Sequence, residues 1–373
     1  MKKIGKEVLM ITTSEGNQRN GEGSFIRLKD GTIMLAYTEY YGENWFDHAC
    51  ARISAYFSYD NGETFTDKRI LLEKDEDAKN YMSASLIRLA DGALGMVFHR
   101  KSFKNGKMLC KQTFVRSDDE GKTWSDRIDV FEKDGYYCGV NDNVIVTREG
   151  EILVPAAYCG DEIAGPKGIQ AKIRIASSKD NGKTFELLPI EAASPYTDGI
   201  GLQEPRIYQY ETGDFIVYCR TAYGFQYEFE LSKDKKSISA PIPNFNFSSP
   251  DSPMAVKKVG KYTAAVFNPI SYNCLMEKLE SWRSPKRTPF VLAISTDDGR
   301  SFSSKGKTFC EGELEDFSKC LYYLEDDRSE SYCYPAIYDT GDGFLVAYFH
   351  SNKSGKCQNS TKVTKIYYDE IDQ

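Results

Sequence analysis

Along most of the chain, apolar residues come in short runs that a two-residue turn splits into pairs. Ser24–Tyr37 places Phe25, Ile26 and Leu28 before Asp30-Gly31, and Ile33, Met34 and Leu35 after it. Ser85–Phe98 repeats the arrangement around Asp91-Gly92. Asp-Gly between two apolar runs is a strong short-range signal for a β-hairpin, because the turn needs positive φ. Equivalent turns at Glu149-Gly150, Thr212-Gly213, Val259-Gly260 and Asp342-Gly343 bring the number of predicted hairpins to six.

A second motif runs in phase with the first. Ser58–Phe65, Ser117–Trp124, Ser178–Phe185 and Ser295–Phe302 share the pattern S-x-D-x-G-x-[TS]-[FW], at spacings of 59, 61 and 117 residues. The last gap is about two periods, and near its middle Ser232–Ile238 is a copy without the glycine and the aromatic residue. Each unit therefore reads as a hairpin, a third strand such as Ala51–Phe57, an acidic turn and a fourth strand. Four short strands per repeat is the grammar of a propeller blade. The predicted fold is all-β, a six-bladed β-propeller of antiparallel four-stranded blades, with residues 1–373 forming a single domain. The last unit has strands near Phe344–Phe349 and Val363–Tyr368 but no acidic turn. A strand at Lys6–Thr12 is expected to complete it and so remove an open sheet edge. In the acidic turns Asp accepts backbone N–H groups, Gly supplies positive φ and the aromatic packs beneath, so they read as structural staples. The stretch from about Asn268 to Arg287 is expected to form an extended loop over one face.

Composition sharpens this picture. The 25 Tyr, 21 Phe and 3 Trp suit strands, and 40% hydrophobic with 28% charged residues is an ordinary globular mix. With 48 Lys plus Arg against 55 Asp plus Glu, the formal charge of −7 leaves no basic surplus for a phosphate backbone, and nucleic acid is not expected as a partner. No apolar run approaches the roughly 20 residues of a membrane helix, and Lys2–Glu7 is too charged for a signal peptide, so a cytoplasmic protein without membrane partners is expected. The ten cysteines are scattered singly and only three histidines accompany them, which predicts reduced thiols and no metal centre. No phosphate-binding glycine loop is present, and no cofactor is implied.

In a ring of this kind the inner strands converge on the axis, so polar residues at the start of each hairpin share a central cleft. Those segments are Gly21–Ser24, Asp47-His48, Asn141–Asn143, Gln203–Pro205, Arg220-Thr221, Ser252-Pro253, Arg287 and Tyr334-Pro335. They combine carboxylates, guanidinium groups and a phenol, a palette suited to a glycosidase and a carbohydrate substrate.

With its S-x-D-x-G-x-[TS]-[FW] turns and hairpin units, the whole chain resembles the sialidase (neuraminidase) superfamily of six-bladed propellers. The resemblance implies an acid/base Asp in a first-blade loop, matched by Asp47. It implies a Glu opening the fourth inner hairpin and an Arg ending it, matched by Glu204 and Arg220. An Arg ahead of the strand that feeds the last acidic turn is matched by Arg287, with Arg283 as a rival. The Tyr nucleophile opening the last hairpin is matched by Tyr334. These types depend on one another, because a phenol with a free pKa near 10 needs a base, and guanidinium groups bind acidic groups in bidentate fashion. One element departs from the family: its first arginine falls on Gly21, with Arg19 two residues away and Glu22 adjacent. The implied activity is a retaining exo-glycosidase that releases terminal sialic acid or another, possibly acidic, sugar from small glycans, in which Tyr334 attacks, Glu204 is its base and Asp47, with a raised pKa, is acid then base. Arg220 and Arg287 would anchor an acidic group, and Glu22 would shape the pocket. Asn141, Asp142 and His48 are candidates for binding sugar hydroxyls, although Asn141 and Asp142 equally suit a strand cap. His99 and Arg100 are read as structural and Cys333 as packing. A glycan-binding propeller without catalysis and a protein-interaction scaffold are the alternatives.

Overall fold

The hairpin turns form where the glycines permit them. Gly31, Gly92, Gly150, Gly213 and Gly260 all have positive φ, between 51° and 96°. The sixth turn differs by two residues. There the left-handed position is Gly341, at φ 88°. Gly343 instead opens the strand Gly343–His350, where a Cβ would lie 2.1 Å from the Ile366 carbonyl oxygen.

The computed structural model describes residues 2–160, 170–196, 200–270, 287–302, 321–327, 329–351 and 359–371. Among these, the strands pair into five sheets, and the chain is an all-β propeller built from antiparallel blades. One sheet has eight strands and consists of two meanders. The first is Arg19–Arg27, Ile33–Tyr40, Ala51–Ser58 and Thr66–Leu72; the second is Ala78–Arg88, Leu94–Lys104, Lys107–Ser117 and Ile128–Asp129. A single parallel bridge, Ala51 to Asn80, joins them. The third meander centres on Ile152–Tyr158 and Lys172–Ser178, which pair with each other and with four two-residue strands. The fourth is Gln203–Gln209, Phe215–Arg220, Phe225–Leu231 and Ile242–Ser248, and the fifth is Ala255–Val259, Tyr262–Phe267, Phe290–Ser295 and Leu321–Glu325. In the last sheet Tyr332–Asp339, Gly343–His350 and Ser360–Tyr367 are completed by Lys6–Ile11, which pairs antiparallel with Ser360–Tyr367 as the closure argument requires.

Because the strands alternate, each meander has two apolar faces, and each face is buried against a neighbour. Met34 and Ile53 pack with Leu86 and Phe98, Val97 and Phe114 with Val154, and Ile173 with Val217 and Phe229. Ile216 packs with Val256 and Val291, and Val266 with Ile337 and Val346. Phe25 and Leu35 meet Leu345 and Val363, so the C-terminal meander packs on the first and the ring closes.

The acidic turns act as staples, and their reach is longer than the sequence reading supposed. In all four intact copies the Ser hydroxyl donates to the Asp at 2.6–2.8 Å, and the Gly N–H donates to that hydroxyl at 2.8–2.9 Å. The Thr or Ser N–H and hydroxyl donate to the two carboxylate oxygens at 2.8–3.0 and 2.6–2.7 Å. Each aromatic residue then enters the core shared with the preceding meander: Phe65, Trp124, Phe185 and Phe302. The degenerate copy keeps the Ser232–Asp234 bond at 2.7 Å. In place of an aromatic it has an ion pair from Lys235 to Glu151 of the preceding meander, at 3.0 Å.

The expected loop between Asn268 and Arg287, and Arg283 within it, lie mostly outside the described residues. Of the described cysteines, all are free thiols; Cys110, Cys219 and Cys333 are buried. Among the described residues no helix is long and apolar enough to cross a membrane.

Candidate active site

Six non-glycine residues at the entrances to the innermost strands are forced into left-handed backbone. Glu22, Ser83, Asp142, Glu204, Asp251 and Tyr334 have φ of 55°, 57°, 56°, 41°, 54° and 57°. Such values are uncommon for residues with a Cβ and persist only where the surrounding structure holds them. Four of the six sit in β-bulges, at the register shifts Gly21/Ser24, Met82/Ser85, Gln203/Arg206 and Cys333/Ala336. A bulge re-aims a side chain, and here the re-aimed groups meet.

The first cluster contains Tyr334, Glu204, Arg220, Asp251 and Arg287. The Tyr334 hydroxyl donates to Glu204 Oε1 at 2.7 Å. Arg220 donates through Nη1 to Glu204 Oε2 at 2.8 Å and to the Tyr334 oxygen at 3.3 Å, and through Nε to Asp251 Oδ1 at 2.7 Å. Arg287 reaches the Asp251 carbonyl at 2.8 Å and Cys333 Sγ at 3.1 Å, with its guanidinium 5.8 Å from the Tyr334 ring centre. Burial and the Glu204 carboxylate push the Tyr334 phenol well above its ordinary value, against Arg220 and Arg287. The phenol is therefore protonated at neutral pH, and Glu204 accepts the hydrogen bond it donates.

The second cluster is built around Arg19. Its Nη1 donates to Asp47 Oδ1 at 2.5 Å and its Nη2 to Glu22 Oε1 at 3.1 Å. Ser83 Oγ bonds the other Glu22 oxygen. The Arg19 guanidinium lies 4.8 Å from the ring centres of both Tyr40 and Phe349. Phe349 also packs edge-on against Tyr334 at 5.6 Å, so one ring touches both clusters. Gly21 is what admits it: a Cβ there would sit 1.8 Å from the Phe349 ring. The space that a residue-21 side chain would use is filled by Phe349, and Arg19 supplies the guanidinium instead.

Asp47 is corrected in one respect. Its side chain stays 65% exposed at the rim, while Lys101, at 3.0 Å, and Asn80, at 2.9 Å, clamp its backbone carbonyl. Partial burial raises its pKa, but Arg19 and Lys101 outweigh this and hold the carboxyl well below the usual range, opposite to the raised value expected of an acid. Glu22 carries the raised value: burial outweighs Arg19 and Ser83. His48 is exposed beside Asp47, and burial and Lys101 lower its pKa.

Asn141 and Asp142 are both held by bonds within the protein. Asn141 is fully buried and donates to the Gly23 carbonyl at 2.7 Å. Asp142 accepts from Ser24 at 2.9 Å and from Lys257 at 3.0 Å. Beneath them Arg206 gathers the carbonyls of Asn141, Met254 and Pro335 at 2.8, 2.8 and 3.1 Å. His99 and Arg100 are structural as expected, in mid-strand: His99 accepts from the Gly139 N–H at 3.0 Å, and Arg100 pairs with Asp75 at 2.8 Å.

Sequence reasoning missed Ser83, Asp251, Arg206 and Lys101, and left Arg19 outside the site. For two of them a signal existed. Counting back from the turn Gly residues 31, 92, 213, 260 and 343, the left-handed position lies nine residues earlier every time, and eight before Gly150. That count selects Ser83 and Asp251 together with Glu22, Asp142, Glu204 and Tyr334.

Residues 76–347 match the BNR repeat-like domain. The chain belongs to the BNR repeat-like family. This BNR-repeat propeller is 27% identical over 183 residues to a sialidase from Paraclostridium sordellii. That match covers 43% of this chain and 44% of the relative, so it spans less than half of the relative's length. Among solved structures, a protein of unknown function from Dyadobacter fermentans superposes with a TM-score of 0.69 at 16% identity, covering 97% of this chain and 99% of the other. The NanB sialidase from Streptococcus pneumoniae gives 0.66 at 10% identity, covering 98% of this chain and 71% of that one. At such identities the likeness establishes the fold.

Proposed function

We propose that the BNR-repeat propeller is a single six-bladed domain and a retaining exo-glycosidase that removes terminal sugars from small glycans. The blade count follows from dividing the eight-stranded sheet at its one parallel bridge, and the apolar cores between successive meanders and the left-handed inner-strand residues support it. The observation that carries the catalytic reading is the Tyr334–Glu204–Arg220 arrangement, a phenol bonded at 2.7 Å to a carboxylate that a guanidinium orients at 2.8 Å. A nucleophile within hydrogen-bond reach of its base, with the base held by a third group, is the geometry that activates a weak nucleophile.

In the first step the Tyr334 oxygen bonds to the anomeric carbon, Glu204 takes the phenolic proton, and the glycosidic C–O bond breaks as Asp47 protonates the leaving oxygen. In the second step water loses a proton to Asp47 and displaces the phenolate, which recovers its proton from Glu204. Two inversions give net retention. Arg220 lies close enough to the Tyr334 oxygen to steady the negative charge as the phenolate leaves. Since Arg19 and Lys101 keep Asp47 ionised, its acid role requires the bound substrate to loosen the Arg19–Asp47 pair.

That same pair favours a second reading, a glycan-binding propeller without turnover. A panel of aryl glycosides separates the two: turnover that Tyr334→Phe abolishes supports the enzyme, whereas saturable binding with no aglycone release supports the lectin.

A further inference from the structure

We infer that Glu22, backed by Ser83, sets the substrate class of this pocket, selecting a sugar that turns hydroxyl or amino hydrogens, and no carboxylate, toward the wall made by the first two meanders. The inference rests on the glycan-binding site proposed above and deepens it.

Glu22 is 3% exposed and occupies the left-handed bulge of the first inner strand. Arg19, which bonds Glu22, lies over the Phe349 ring, and that ring packs edge-on against Tyr334, so Glu22 and Tyr334 are linked through one shared wall. Ser83, at the matching left-handed position of the second meander, bonds Glu22 Oε2, and Arg19 bonds Oε1. Both oxygens are thus fixed in direction, and each keeps acceptor capacity beyond its one bond. A fixed carboxylate accepts from sugar hydroxyls or an ammonium group and repels another carboxylate.

The charges around the pocket point the same way. Arg19, Lys101, Arg220 and Arg287 are the cations that contact its groups, and Glu22, Asp47, Glu204 and Asp251 are the carboxylates, four against four among the described residues. Arg19 is shared by two of those carboxylates and Arg220 by the other two. An anionic substituent approaching Arg19 would have to displace Glu22 or Asp47, whereas a hydroxyl adds to the network without breaking it. A pocket built to hold an anion would keep a surplus of positive charge, and this one balances.

The test compares kcat/KM of the full chain for neutral aryl hexosides, aryl hexosaminides and an aryl α-sialoside sharing one leaving group. We expect the best neutral or amino sugar to exceed the sialoside by at least about tenfold. Glu22→Gln should raise KM for that sugar by about tenfold to a hundredfold, the worth of a hydrogen bond to a charged partner, with kcat moving less. It should also narrow the ratio to the sialoside. Ser83→Ala, which frees Glu22 without removing it, should shift the ratio in the same direction by a smaller factor. A sialoside turned over as well as the best neutral sugar, or a ratio that neither variant changes, overturns the inference. Should no glycoside be cleaved, the enzyme reading fails while this one stays testable by calorimetric titration with free galactose, galactosamine and N-acetylneuraminate. Preference for a neutral or amino sugar that Glu22→Gln abolishes upholds it; equal or stronger binding of the acid, or no binding at all, overturns it.

Discussion

Replacing Tyr334 with Phe is the most direct test of the catalytic reading, because it removes one oxygen atom and little else. The ring keeps its edge-on contact with Phe349 at 5.6 Å. What is lost is the 2.7 Å bond to Glu204 and the 3.3 Å contact from Arg220. Glu204 still accepts from Arg220 at 2.8 Å, so no buried carboxylate is stranded. The loss should cost about 1–2 kcal/mol of stability, a fall in Tm of a few degrees at most. The effect on rate should be far larger. Without a nucleophile the covalent route closes, and kcat should fall by at least about a thousandfold, leaving only binding and transition-state electrostatics. The assay is aryl release by fluorescence, paired with mass spectrometry of protein treated with a fluorinated glycosyl fluoride that slows the second step. Wild type should carry the glycosyl mass on the peptide containing Tyr334, and the variant should carry none. Activity of the folded variant within about tenfold of wild type, or an adduct on another residue, refutes the nucleophile assignment.

Other expectations follow from the scaffold. Gly21→Ala puts a methyl group 1.8 Å from the Phe349 ring, and overpacking of this kind should cost about 1–3 kcal/mol; thermal melts should register it, and displacement of Arg19 should lower sugar affinity as well. Asp180→Ala deletes three bonds within a staple far from the axis and should destabilise by about 1–3 kcal/mol in denaturant titrations while leaving kcat unchanged. The turn carboxylates Asp60, Asp119, Asp180 and Asp297 are all held below their ordinary value, Asp119 at about 2, chiefly through its bonds from Thr123 and Ser117. A depressed carboxylate stabilises fully above its unfolded value near 3.9 and loses that contribution as pH falls through the folded one. Urea midpoints should therefore hold from neutral pH down to about 4 and drop steeply towards 2, and Asp119→Asn should flatten that drop; an unchanged slope would remove the staple from the explanation.

Much of this was legible in the chain because propellers repeat and repetition exposes phase. The acidic turns were readable since Ser, Asp, Gly and Thr each have one task there, and the bonds they make are the ones those tasks require. Tyr334, Glu204 and Arg220 were found from their place in the blade, and they meet. Arg19 was noted beside the missing arginine but not placed in the site, because a count by residue number assumes a side chain must leave the backbone where its counterpart does, whereas here a bulge, a glycine and the ring of Phe349 re-route it. The pKa of Asp47 runs opposite to the expectation for the same reason: its partners are Arg19 and Lys101, which spacing does not bring beside it. Asn141 and Asp142 look like ligand-binding groups in one dimension, and their bonds to Ser24, Lys257 and Arg206 at that level of the ring could not be read from spacing. The charge on a buried group depends on neighbours that sequence spacing does not supply.

The left-handed twist that recurs where each inner strand begins has a consequence for how such a molecule can change. It works as a set of six sockets, all left-handed in backbone, in which phenol, serine hydroxyl or carboxylate is a plug-in part. Swapping one plug alters what the well can grip or cleave while the apolar cores between the meanders stay as they are, so chemical novelty is largely separated from the labour of folding.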